Sequence, residues 1–147
     1  WADILVETLE SIIKNEIIPT KQNEKEASYC SKILKTDWEI LFKNSSSFEI
    51  YNKFRAYFTW PWIYTYYKWK KFEITDCYFD NHEVNFDEDF MIWDVVEIWN
   101  DDEMEIWVLC KKWTLILKKV KLEWKKETNI KDFINGNKDF LDYNFIN

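Results

Sequence analysis

From Phe72 to Cys110 the chain reads FEITDCYFDNHEVNFDEDFMIWDVVEIWNDDEMEIWVLC, with thirteen carboxylates and no Lys or Arg, although the whole sequence holds twenty basic residues. Carboxylates at that density can hold a hard cation, act as an acid–base pair or dock a basic partner. The first two uses need more than density. A calcium loop of the EF-hand kind requires fixed ligand spacing and a bending glycine, and Asp80, Glu83, Asp87, Glu88 and Asp89 offer neither. Glycoside hydrolysis needs two carboxyls at a set separation in a cleft, and spacing along the chain cannot select two from thirteen.

Other reactive residues are sparse. His82 is the single histidine, and a Ser-His or Cys-His hydrolase would have to use it, with Cys77 five residues away. Cys30, Cys77 and Cys110 form no C-x-x-C pair with which to hold zinc. Three cysteines far apart also argue against a disulfide framework and for a reducing compartment. The one glycine, Gly136, excludes a P-loop and a dinucleotide fingerprint, because both need several glycines where backbone approaches phosphate. Glu123-Trp124-Lys125, preceded by Asp94, Asp101 and Asp102, faintly resembles the Asp and Glu-x-Lys set of metal-dependent nucleases. A net charge of −7 opposes a nucleic-acid substrate. No catalytic residue, metal ligand or cofactor is assigned.

The positions of these groups depend on the elements that carry them. Apolar Leu5, Leu9, Ile12, Ile13 and Ile17 recur at three- and four-residue steps, which predicts an amphipathic helix from Asp3 to Ile17 with Pro19 just beyond. Ala27, Cys30, Ile33, Leu34, Trp38, Leu41 and Phe42 continue that spacing across TDWE, in which Thr36 and Glu39 read as a capping box. This predicts one bent helix or two short ones. Ser46 and Glu49 open a further helix carrying Phe48, Tyr51, Phe54 and Phe58. Beyond Trp60 the period falls to two, giving strands at Trp62 to Trp69, Phe72 to Phe79, Phe90 to Trp99, Met104 to Cys110 and Trp113 to Trp124. The last slips phase at Lys118-Lys119, where a bulge would restore the alternation. A short C-terminal helix after Thr128 is broken by NGN.

The expectation is an α+β fold over residues 1–147 as a single domain, with N-terminal helices on one face of a curved antiparallel sheet of about five strands. No apolar run reaches the length of about 20 residues that a spanning helix needs, so no membrane partner is expected. The chain starts at Trp1 rather than Met and reads as a trimmed or processed product, placed in the cytoplasm.

Charge separation supplies the functional expectation. Residues 111–126 hold seven Lys and one Glu beside the acidic stretch. Cross-strand pairing with Lys111, Lys112, Lys118, Lys119 and Lys121 would offset the crowded carboxylates. The rest would steer a basic protein, with tryptophans as anchors. This predicts a non-enzymatic, acidic protein-binding module, an inhibitor or immunity-type protein that neutralises a basic toxin or nuclease. Its docking residues are Asp87, Asp89, Trp93, Asp94, Glu97, Trp99, Asp101, Asp102, Glu103, Glu105 and Trp107. The alternative is a small-ligand pocket between helices and sheet, lined by Trp60, Trp62, Tyr64, Tyr66, Trp69, Trp93 and Trp107. Direct nucleic-acid binding is not expected, although the lysines from Lys111 to Lys126 with Trp113 and Trp124 make a weak basic-aromatic stripe.

Overall fold

The computed structural model describes residues 1–81, 91–100 and 103–145. The chain divides into two compact units, Trp1–Lys32 and Ile33–Asn147. The first contains helix α1 (Ala2–Ile13) and a 3-10 turn at Glu24–Glu26. Helix α1 stops four residues before Ile17 because Asn15 enters the left-handed region at φ 58°. Its N–H donates to Ile12 O and that of Glu16 donates to Ser11 O, the pair of bonds that closes a helix of this kind.

The second unit opens in extended chain, not helix. Only Lys35–Trp38 coils, as a 3-10 turn whose Asp37 carboxylate accepts the Leu34 N–H at 2.7 Å, so Thr36 caps nothing. Ile40 then donates to Tyr64 O at 2.7 Å, with Ile40 and Phe42 buried and Leu41 exposed. The alternation at Ile40 and Phe42 is that of a strand, and the helical spacing runs across it. Helix α2 (Ser47–Ala56) forms with the expected box: Ser46 Oγ accepts from Glu49 N at 3.2 Å, and Glu49 Oε2 accepts from Ser46 N at 2.8 Å. Its buried face is Ser47, Ile50 and Phe54, which turns Phe48 and Phe58 outward.

Six strands follow: β1 (Ile63–Tyr67), β2 (Lys70–Asp80), β3 (Val95–Asn100), β4 (Glu103–Leu109), β5 (Thr114–Leu122) and β6 (Thr128–Asn129). They form one antiparallel sheet in the order β1-β2-β5-β4-β3, with β6 added to β5. Five of the six match the expected strands, and the α+β architecture is as expected. The register of β2 on β5 shifts between Ile74 and Asp76 and again before Cys77, opposite Lys118-Lys119, where the phase slip predicts a bulge. Helix α3 (Ile130–Gly136) closes the unit with a 3-10 turn at Lys138–Phe140.

Helices α2 and α3 cover the same face. Ile50, Phe54, Phe133 and Ile134 join Phe72, Ile74, Leu115 and Leu117 in the main core. The opposite face of β3, β4 and β5 carries a smaller cluster of Val96, Trp107, Leu109 and Ile116. Among the described residues no helix is long and apolar enough to cross a membrane.

Candidate functional surface

Strand pairing fixes where the carboxylates point. Glu97 lies opposite Ile106 and Trp99 opposite Met104, so both belong to the core side of the sheet, at its exposed end. The Trp99 indole donates to Glu97 Oε1 at 2.8 Å. Glu105 lies opposite Ile98 and Trp107 opposite Val96, on the other side, and the Trp107 indole donates to Glu105 Oε2 at 3.2 Å. These four residues therefore do not share a face. Trp93 packs against the main core with Lys43 Nζ 5.5 Å from its ring centroid, and Asp94 is occupied in accepting the Met91 N–H at 2.8 Å. Glu103 pairs with Lys131 at 3.2 Å. Asp87, Asp89, Asp101 and Asp102 lie outside the described residues, as does His82.

A cavity of about 410 Å³ lies where the outer edge of β5 changes partner. Leu117 still pairs with Ile106 of β4, whereas Lys119 pairs with Asn129 of β6, and the fork between them opens at Lys118. Two of its carboxylates are paired with lysines that also line it: Lys118 reaches Glu105 at 2.6 Å and Lys131 reaches Glu103. The described cavities are not lined by any of the aromatic residues expected to form a ligand pocket. Trp62 and Trp93 instead pack on the core, Trp107 sits in the small outer cluster, and Trp60 and Trp69 are exposed.

Among the described residues the nuclease arrangement does not assemble either, Asp101 and Asp102 lying outside them. Glu123 accepts the Lys71 N–H at 3.3 Å, and among the described residues no group of three His, Cys, Asp or Glu converges to hold a metal. Cys77 and Cys110 are buried in the core, and burial pushes both thiols well up, with Asp76 adding to the effect at Cys77.

Positive charge gathers at the end of the sheet where the β1–β2 turn meets the end of β5. Phe72 pairs with Leu122, and Glu123 N donates to Lys71 O at 2.8 Å. Lys68, Lys70 and Lys71 are thereby brought alongside Lys121, and Lys125 and Lys126 follow directly on. Glu73 is shared by Lys71 and Lys121, each at 2.9 Å. Burial pushes the Glu73 carboxyl up, but the two lysine hydrogen bonds outweigh it and hold it below the usual glutamate range. Lys71 also lies 4.6 Å from the Tyr64 ring centroid, and burial together with Glu39 pushes that phenol up to about 12. Lys68 is ion-paired with Asp139, which raises the lysine and lowers the aspartate. Lys70, Lys125 and Lys126 are exposed and have no ion-pair partner among the described residues. The sequence signal for this end is the triplet Trp-Lys-Lys at 69–71 and again at 124–126. Strand pairing makes the two copies neighbours.

Comparison with known proteins gives a consistent result. The model of the formyl transferase C-terminal domain family matches residues 32–138. The methionyl-tRNA formyltransferase of Caldicellulosiruptor saccharolyticus is 34% identical over 139 residues, covering 93% of this chain and 42% of the relative. That of Natranaerobius thermophilus is 28% identical over 133 residues, covering 90% and 41%. The chain thus spans about two fifths of the length of the curated relatives it matches. Among solved structures, a variant of HypX from Aquifex aeolicus superposes with a TM-score of 0.59 at 10% identity, covering 92% of this chain and 23% of that one. At that identity the likeness is one of fold. The family match overturns the expectation of a non-enzymatic inhibitor or immunity-type protein. Charge imbalance along a sequence reports local crowding, and here three carboxylates of the acidic stretch, Glu73, Glu103 and Glu105, are neutralised by neighbouring lysines.

Proposed function

Because the chain belongs to the formyl transferase C-terminal domain family, we propose that it is the substrate-holding part of an enzyme that transfers a formyl group to methionyl-tRNA, working in the cytoplasm. The observation that carries this reading is the family match over residues 32–138, whose curated relatives are methionyl-tRNA formyltransferases. The described residues supply a binding surface more readily than reacting groups, since Cys77 and Cys110 are buried and protonated. The surface best suited to a polyanion is the lysine-rich end, where Lys70, Lys125 and Lys126 are free to meet phosphates and Lys71 and Lys121 are held in place by Glu73. Phosphate contacts position a nucleic acid without reading its sequence. The net charge of −7 does not prevent this, because affinity follows the local array that displaces counterions. The reading sets aside the basic-protein partner expected from the acidic stretch.

Binding of methionyl-tRNA to the full chain, followed by fluorescence anisotropy from about 50 to 200 mM salt, tests the proposal. Affinity in the micromolar range or tighter at low salt, falling linearly on log–log axes, is the expected result. Absence of binding at the lowest salt would sink it.

A further inference from the structure

The chain has ten tryptophans and one glycine, whereas average glycine usage of about 7% would put about ten glycines in a chain of this length. Eight described non-glycine residues have positive φ, and five are tryptophan: Trp62 at 71°, Trp69 at 65°, Trp93 at 79°, Trp113 at 64° and Trp124 at 63°. That region holds only a few per cent of non-glycine residues, mostly Asn, Asp and His, and a bulky residue in it is an outlier.

The turns themselves ask for glycine. Strands β1 and β2 are joined by Lys68-Trp69 alone, both at positive φ, with Tyr67 paired to Lys70. This is the mirror-image hairpin turn, whose second place favours Gly. Asp94 N donates to Met91 O at 3.1 Å and Lys125 N to Leu122 O at 2.9 Å. Trp93 and Trp124 are therefore third in hydrogen-bonded four-residue turns, the place that requires positive φ in a type II turn. Two of the indoles gain nothing in exchange, since Trp69 is 95% exposed and Trp124 93%. Trp107, by contrast, lacks positive φ, is 5% exposed and hydrogen-bonds Glu105. The one glycine present, Gly136, does not have positive φ and would accept a Cβ with nothing within 4 Å.

We propose that positions 62, 69, 93, 113 and 124 are glycine positions of this fold, and that the source cell decodes as glycine the codon read as tryptophan at these five positions. Resting on the tRNA reading above, the lysine-rich end then presents bare backbone at 69 and 124 between its lysines. Phosphates can approach peptide N–H groups there that two indoles would shield.

Three measurements test this. In protein purified from source cells, the tryptic peptides covering 113 and 124 should carry glycine masses; tryptophan masses overturn the decoding. In the full chain, Trp69→Gly with Trp124→Gly should raise the melting temperature by on the order of 5 °C, whereas the Ala pair, which keeps a Cβ at positive φ, should not. Equal or lower melting of the Gly pair overturns the glycine assignment. The Gly pair should bind methionyl-tRNA at least as tightly as the tryptophan form, and weaker binding would make the indoles the contacts and overturn the bare-backbone surface. If neither form binds tRNA, the surface and the tRNA reading both fall, while the masses and melting temperatures still decide the glycine assignment.

Discussion

Lys118 Nζ lies 2.6 Å from Glu105 Oε1, across the β4–β5 pair. The same carboxylate accepts the Trp107 indole N–H through Oε2 at 3.2 Å. One acidic residue therefore ties a basic strand to a buried aromatic ring on the outer face of the sheet. Glu105 thus serves the fold, and its charge is largely compensated inside the molecule.

Removing Glu105 should expose the two roles separately. Glu105→Leu leaves the Trp107 indole N–H buried without its acceptor, at a cost of about 1–3 kcal/mol. Glu105→Gln keeps an acceptor oxygen and gives up the ion pair with a half-exposed lysine, which is worth about 1 kcal/mol or less. Urea unfolding of the two variants checks the order; equal losses would assign the whole effect to charge.

Glu73 gives the acid limb of the stability curve a specific contributor. Its carboxyl is held below the usual range by hydrogen bonds from Lys71 and Lys121, which overcome the upward push of burial. A depressed folded value means that its stabilisation is complete above the unfolded glutamate value and is lost as pH falls through the folded one. Wild-type chain should therefore lose stability more steeply than Glu73→Gln between about pH 5 and pH 3. Parallel curves from denaturant unfolding at stepped pH would remove Glu73 from the acid response.

The sheet is legible from sequence because its signal is local. Alternation within β2, β4 and β5 and the phase slip at Lys118-Lys119 are properties of a few adjacent residues, as is the Ser46–Glu49 box. The helix expected through Trp38 to Phe42 does not form because Ile40 bonds to Tyr64, a partner 24 residues away that no local period reports. The inhibitor function expected from the acidic stretch, which the family match overturns, leaned on charge along the chain in the same way. Thirteen carboxylates within thirty-nine residues are conspicuous, yet among the lysines that neutralise Glu73, Glu103 and Glu105, Lys118 and Lys121 come from β5 and Lys131 from α3, and only Lys71 shares a strand with its partner. The lysine-rich end is assembled from two distant segments, 68–71 and 121–126, joined by the β2–β5 register.

The three cysteines should react as two classes set by exposure. Cys30 is exposed, whereas Cys77 and Cys110 are buried with thiols pushed far up by desolvation. Only the thiolate reacts. A disulfide reagent at neutral pH should modify Cys30 in the native chain and all three cysteines after denaturation. Rapid reaction of a second native thiol would show that the core around β2 opens.

Lys125 and Lys126 follow β5 as exposed cations without an ion-pair partner among the described residues, so neutralising them should cost little stability. If they meet tRNA phosphates, Lys125→Gln with Lys126→Gln should weaken binding across all tRNA sequences alike. It should also flatten the slope of log affinity against log salt by about 0.7 to 0.9 for each phosphate that is no longer neutralised. Lys118→Gln is the comparison, since that lysine is already committed to Glu105 and lies in the fork cavity. Its slope should stay near that of the wild type. A larger effect from Lys118 than from the 125–126 pair would move the phosphate-binding surface from the end of β5 to the fork between β4 and β6.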